Sequence, residues 1–361
     1  MIGWVVNAWD NLFGRGDAAV TVPPLDGAMR PNRKLDEAST RLPLAGVQGL
    51  TTVGDQLLAT AGREVHALSD DGQWVALAEY PQDIACITGL GDTGQWAVAL
   101  VTGEIVLHAD GQSDHLVAEN TFNCVTAMVA SGTELYVANG SDAHPTDDWQ
   151  TDLLQRNATG SIWRIDLSSG QATKIVDGLA WPAGLAVDDA GLVYAEAWKH
   201  RLVRQPLLGG ATEVLYSDLP GYPGHIAADS EGYWLSVFAP RSQLVEFVQR
   251  EPAYRQQMIA EIPRAYWIAP KFRSGRDFYE PLQGGGVKTL GILKPWAPTL
   301  SAGLCVRLGY DFQPQNSLHS RADGATHGIT STVVHKGRVY AASRGDDVVV
   351  SLGPDEIGDV E

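Results

Sequence analysis

A glycine followed by a short apolar strand that ends in small residues recurs six times along the chain, a repetition that few architectures accommodate. The copies begin at Gly54, Gly94, Gly132, Gly191, Gly232 and Gly337, as in Gly132-Thr-Glu-Leu-Tyr-Val-Ala-Asn and Gly337-Arg-Val-Tyr-Ala-Ala-Ser. Each follows another apolar stretch, such as residues 50–53, 125–130 or 328–334, with a turn between the two. The pattern predicts a β-hairpin in every copy. Most intervals are about 40 residues, the length of a four-stranded propeller blade, and the two long ones hold a unit plus an insertion.

Only 24 residues follow Gly337, enough for about two strands. A strand from the N-terminal side is needed to complete the last blade, and residues 35–44 are its expected source. Pairing the two ends of the chain closes the ring and removes the edges that an open array would expose. The expected fold is all-β: one domain, a six-bladed β-propeller over residues 35–361. Residues 1–34 are read as a helix and an extended arm, because Ile2, Val5, Val6, Trp9, Leu12 and Phe13 fall on one helical face.

A net charge of −17, spread along the chain, disfavours nucleic acid, whose binding rests on Lys and Arg neutralising phosphates. It equally disfavours an anionic membrane surface. No run approaches the roughly 18 apolar residues of a membrane span, so no integral membrane association is expected. Cys86, Cys124 and Cys305 are an odd number in strand-like surroundings and read as free buried thiols of a reducing compartment. Together with an N-terminus that lacks the basic opening of a secretory signal, they make a cytoplasmic location the expectation.

Two insertions interrupt the repeat. Residues 142–160, between the third and fourth units, form a polar loop that turns into a short helix. Residues 251–300, between the fifth and sixth, carry Tyr254, Tyr266, Trp267, Phe272, Phe278, Tyr279 and Trp296 among six prolines. That aromatic content is unlike a disordered linker. It predicts an ordered cap over one mouth of the propeller, with packing against a second copy in a homodimer as the rival use.

The run from Gly178 to Gly210, with its Glu196-Ala-Trp-Lys-His-Arg201 segment, and the run Leu219-Pro-Gly-Tyr-Pro-Gly-His225 resemble the strictosidine synthase-like proteins. Those belong to the six-bladed propeller superfamily that also holds gluconolactonases and paraoxonases. The resemblance implies a hydrolase of lactones or esters and, in calcium-dependent members, a metal held by Glu, Asn and Asp oxygens. Here the matching positions are Gly46-Val47-Gln48, a third-blade position within residues 123–126, Ala183-Gly184 and Pro223-Gly224-His225, so the usual calcium ligands are substituted and no cofactor is expected, the alternative being a residual cation held by Gln48, Asn123, His225 and water. Alkaloid-forming members use a Glu on the inner strand of the last blade; Thr330 stands there, which disfavours a lyase or a Pictet–Spengler-type synthase.

The residues left to do chemistry on a small-molecule substrate are His225 and His327, each opening an innermost strand, and Glu196 at the end of a second strand. Imidazole is the side chain suited to proton transfer near neutrality. A structural role weighs against each: a wall histidine for His225 and His327, an ion pair with Arg201 or Arg204 for Glu196. Gln48, Asn139, Trp181 and Arg344 are expected at strand ends near the axis, as substrate-binding groups. No nucleophile elbow, Walker loop or zinc motif is present. A non-catalytic ligand-binding or scaffold propeller is the alternative function.

Overall fold

The computed structural model describes residues 22–91, 94–109, 115–118, 121–281, 287–289, 292–294 and 301–358. The expected helix over residues 1–14, and Trp296, lie outside them. Six four-stranded antiparallel sheets form the blades. Their innermost strands are Val47–Val53, Ile84–Gly89, Val125–Ser131, Pro182–Asp188, Gly221–Asp229 and Ile329–His335. Each packs on the next, and the sixth packs on the first, so the ring is closed. The closing strand is Thr40–Pro43, which pairs with Val348–Ser351 at the outside of blade six, within the segment expected to supply it.

Both faces of each blade are covered by neighbouring blades, and this is why the second strands are apolar throughout rather than alternating. Trp96–Leu100 and Gly191–Glu196 are buried at every position, whereas the outermost strand Trp74–Glu79 is largely exposed. The hydrophobic core is accordingly split into wedges, one per seam. Val53, Leu58 and Val65 meet Ile84, Trp96 and Val98 between blades one and two; Val47, Leu50 and Leu57 meet Val333, Tyr340 and Val349 between blades six and one.

The two insertions sit differently from their expected places. The first lies within blade three, between Glu134–Asn139 and Gly160–Asp166; the second lies within blade five, between Gly232–Pro240 and Gly303–Leu308. The sequence reading anchored each unit on its first hairpin and so could not tell a loop inside a blade from one between blades. Both insertions therefore leave the end of a second strand, which places them at the mouth where the innermost strands begin. There the helix Trp149–Gln155 packs on the helix Pro252–Glu261, with Leu154, Val248, Met258, Trp267 and Ala269 as their shared core.

Close backbone approach makes one seam intolerant. A Cβ at Gly184 would lie 2.0 Å from the carbonyl oxygen of Gly224 in the next blade. Gly184→Ala is expected to lower stability by about 1–3 kcal/mol, read from chemical denaturation; an unchanged midpoint would show that this seam has slack. A second expectation concerns acid. Burial, helped by Arg241, pushes His200 down to about 3, and burial pushes His319 down to about 4, from an ordinary value of 6.5. Between those values the unfolded chain binds protons that the native one refuses, so stability falls as pH drops from 6.5 towards 4. A flat melting temperature across that window would contradict it.

Candidate functional site

Every innermost strand breaks its pairing register at its opening: between Val47 and Leu50, Ile84 and Cys86, Val125 and Ala127, Pro182 and Gly184, Tyr222 and Ile226, and Ile329 and Ser331. A bulge releases backbone groups from the ladder and re-aims a side chain. The residues so released, Gln48, Ala85, Thr126, Ala183, Gly224 with His225, and Thr330, all line one cavity at the hub, of about 120 Å³. One water needs roughly 10–15 Å³ on this measure, so the space suits a small organic molecule.

The released carbonyls accept hydrogen bonds across the seams. Gln48 Nε2 donates to Ala85 O at 2.6 Å, Thr126 Oγ1 to Pro182 O at 2.5 Å, and Thr330 Oγ1 to Gln48 O at 2.5 Å. Most polar groups at the hub thus tie blade to blade. Leu50, Ile87 and Met128 floor the cavity, and Trp149, Trp181, Phe238 and Phe272 line it as an aromatic wall. Trp149 approaches Phe272 at 5.2 Å and Phe238 at 5.6 Å, so the two insertions cap the mouth together, as expected of the aromatic segment.

His225 is the titratable group this geometry leaves available. Its Nδ1 donates to Thr332 O at 3.2 Å, which fixes the tautomer with the lone pair on Nε2. Burial holds the imidazole down to about 4. No described residue hydrogen-bonds Nε2. The ring also borders a second cavity towards the opposite face of the propeller.

The other expected residues divide. Gln48, Trp181 and Arg344 line the cavity with His225. His327 does not: it is fully buried, Nδ1 bonded to Ser301 Oγ at 2.8 Å and Nε2 to Arg321 O at 2.7 Å, with both ring nitrogens satisfied. It precedes the turn at Gly328, whose φ of +64° carries the chain into the strand, so its side chain stays behind the wall. Asn139 is also spent, accepting from Cys124 N at 3.0 Å and donating to Asp142 Oδ1 at 2.7 Å. Glu196 is fully buried away from the cavity, held by Arg201 at 2.6 Å and Lys199 at 2.7 Å, and it accepts Ala180 N–H at 2.9 Å. That last bond braces Trp181, whose φ is +57°. Arg204 pairs with Asp188 instead. Sequence reasoning missed Thr146, Trp149 and Phe238 as lining residues. Thr126 was recoverable, since it holds the same second position on its strand as Gln48 and Thr330.

The donor set does not suit a hard divalent cation. Among the described residues no Asp or Glu lines the cavity, the hydroxyls of Thr126 and Thr330 are committed as donors, and no group of three acidic, His or Cys ligands occurs. Cys86, on the wall, is pushed up to about 12 by burial and is a thiol.

No family model matches the sequence. Over 175 residues the chain is 32% identical to the protein STRICTOSIDINE SYNTHASE-LIKE 13 of Arabidopsis thaliana, covering 44% of this chain and 42% of that one. The match thus spans less than half the length of that relative. Among solved structures, a calcium-binding regucalcin from Agrobacterium tumefaciens superimposes with a TM-score of 0.55 at 14% identity, over 88% of this chain and 94% of that one. A luciferin-regenerating enzyme does so with a TM-score of 0.52 at 14% identity, over 86% and 93%. Ring closure and sequence likeness agree: over less than half its length the chain is similar to strictosidine synthase-like proteins, and its fold is a six-bladed β-propeller that superimposes on those of a regucalcin and a putative gluconolactonase.

Proposed function

We propose that the hub cavity hydrolyses a small lactone or ester, with His225 as the proton-transfer group and without calcium. The observation that carries this reading is His225 itself: a neutral imidazole, oriented through Nδ1, whose Nε2 meets no protein donor at a cavity of small-molecule size. That a structural neighbour is a luciferin-regenerating enzyme supports catalysis on small molecules in this fold. In the step envisaged, Nε2 takes a proton from water as the water oxygen bonds to the acyl carbon. The acyl C–O bond then breaks and the departing oxygen receives that proton, leaving an acid and an alcohol. An imidazole held near 4 is a weak base, so the substrate is expected to be an activated ester or a strained ring.

The binding-propeller alternative is favoured by one observation, that a carbonyl rather than a carboxylate orients His225. His225→Gln separates the two. On a panel of lactones and aryl esters, it should abolish turnover and leave the melting temperature within a few degrees of the parent. Parent-like turnover in that variant would remove the mechanism. Because only protonation of His225 should silence the base, the acid limb of kcat/KM is expected near pH 4; a limb at pH 6–7 would point to another group. Glu196→Gln should do the reverse, costing about 1–3 kcal/mol of stability through the loss of charge-assisted bonds to the partly exposed Arg201 and Lys199 while the folded fraction keeps its kcat/KM. Calcium is expected neither to raise the melting temperature nor, once chelated, to lower activity; a shift of several degrees would restore a cation to the hub.

A further inference from the structure

One formal charge reaches the cavity, and it is positive. Among the described lining residues Arg344 alone is ionised, since no Asp or Glu is present and His225 is neutral. Arg344 follows the second strand of blade six and lies with its guanidinium carbon 4.8 Å over the ring of Phe272. Stacking of this kind holds the guanidinium plane and leaves its N–H edge free to meet an acceptor. Its carboxylate neighbour, Asp147, stands 3.7 Å away, beyond hydrogen-bond distance, and is two-thirds exposed at the rim. Burial weakens the hold of Arg344 on its proton, which marks how far the group has left water.

Thr146, the residue before Asp147, also lines the cavity, though its hydroxyl oxygen is closed off from it. Arg344, Trp149 and Phe272 also border an outer cleft of about 470 Å³, so a molecule entering from that side passes the guanidinium on its way to the hub. The other cations of the cleft, Arg264, Lys271, Arg273 and Arg276, each pair with a carboxylate and also donate to a backbone carbonyl, whereas the Arg344 guanidinium makes no hydrogen bond within 3.5 Å to a described residue.

We infer that the cavity takes an organic monoanion, its carboxylate on Arg344 in place of Asp147 and its flat apolar body against Trp181 and Phe238. Combined with the hydrolase reading, on which this assignment of substrate class rests, the substrate is a lactone or ester that also carries a carboxylate. The overall charge of the chain repels anions at long range, so the selection is made by short-range contacts at the rim.

Titration calorimetry of the full chain with benzoate and with benzamide, its neutral counterpart of equal shape, tests the inference. Benzoate is expected to bind about tenfold more tightly, as a charge-assisted pair predicts. Arg344→Gln should erase the preference, and Asp147→Asn should strengthen benzoate binding a few-fold while leaving benzamide unchanged. Opposite signs from two neighbouring substitutions cannot come from misfolding. Equal affinity for the two probes in the parent, no benzoate binding at millimolar concentration, or weaker benzoate binding in Asp147→Asn would overturn the inference. Turnover is read separately, on a panel of lactones and esters with and without a carboxylate: anion preference without turnover of any member sinks only the hydrolase reading, and turnover without anion preference sinks only this one.

Discussion

Pairing of Thr40–Pro43 with Val348–Ser351 is the contact on which the rest of the molecule depends. Six sheets arranged radially bury their faces only against each other, so every hydrophobic wedge needs the ring to be complete. An antiparallel latch between the ends of a chain of this length has a large loop-closure cost, but that cost grows only slowly with length. The wedges it makes possible are large, with Trp96, Trp234 and Tyr222 among the side chains removed from water.

Closure also determines what the hub can be. Six inner strands converge at their openings, and each departs there from ladder pairing, which would leave bare carbonyls around the axis. Gln48, Thr126 and Thr330 answer those carbonyls from the neighbouring blade, while Gly184 lets the backbone of blade five approach where no side chain fits. A hub organised this way uses its polar side chains to hold the seams. His225 Nε2 and the Arg344 guanidinium are what that arrangement leaves over for a ligand.

The blade count, the closing strand and the aromatic cap were legible in the sequence because hairpins are local: two apolar runs, a glycine and a turn lie within about fifteen residues of one another. The site was legible in part. Gln48 and His225 could be placed because each occupies a strand opening, where position along the strand determines which way a residue faces. His327 fails by this logic, since it lies before the turn at Gly328 rather than after it, and two residues of offset move a side chain from the channel to the wall. Trp149 and Thr146 were hidden for another reason. They sit on a loop whose path over the mouth is decided by packing against Pro252–Glu261, about a hundred residues later, and nothing local to them announces it.

Trp181 holds a backbone conformation that bulky side chains avoid, at a cost of order 1–3 kcal/mol, and it does so because Glu196, Ala197 and Trp198 grip the peptide groups on either side of it. The indole is therefore present despite the chain's own preference. Swapping it for a small residue at ease in that region would relieve the backbone and enlarge the chamber in the same step. Relief of the backbone and room for bulkier molecules thus come together, set against the packing that the buried indole makes with Trp198.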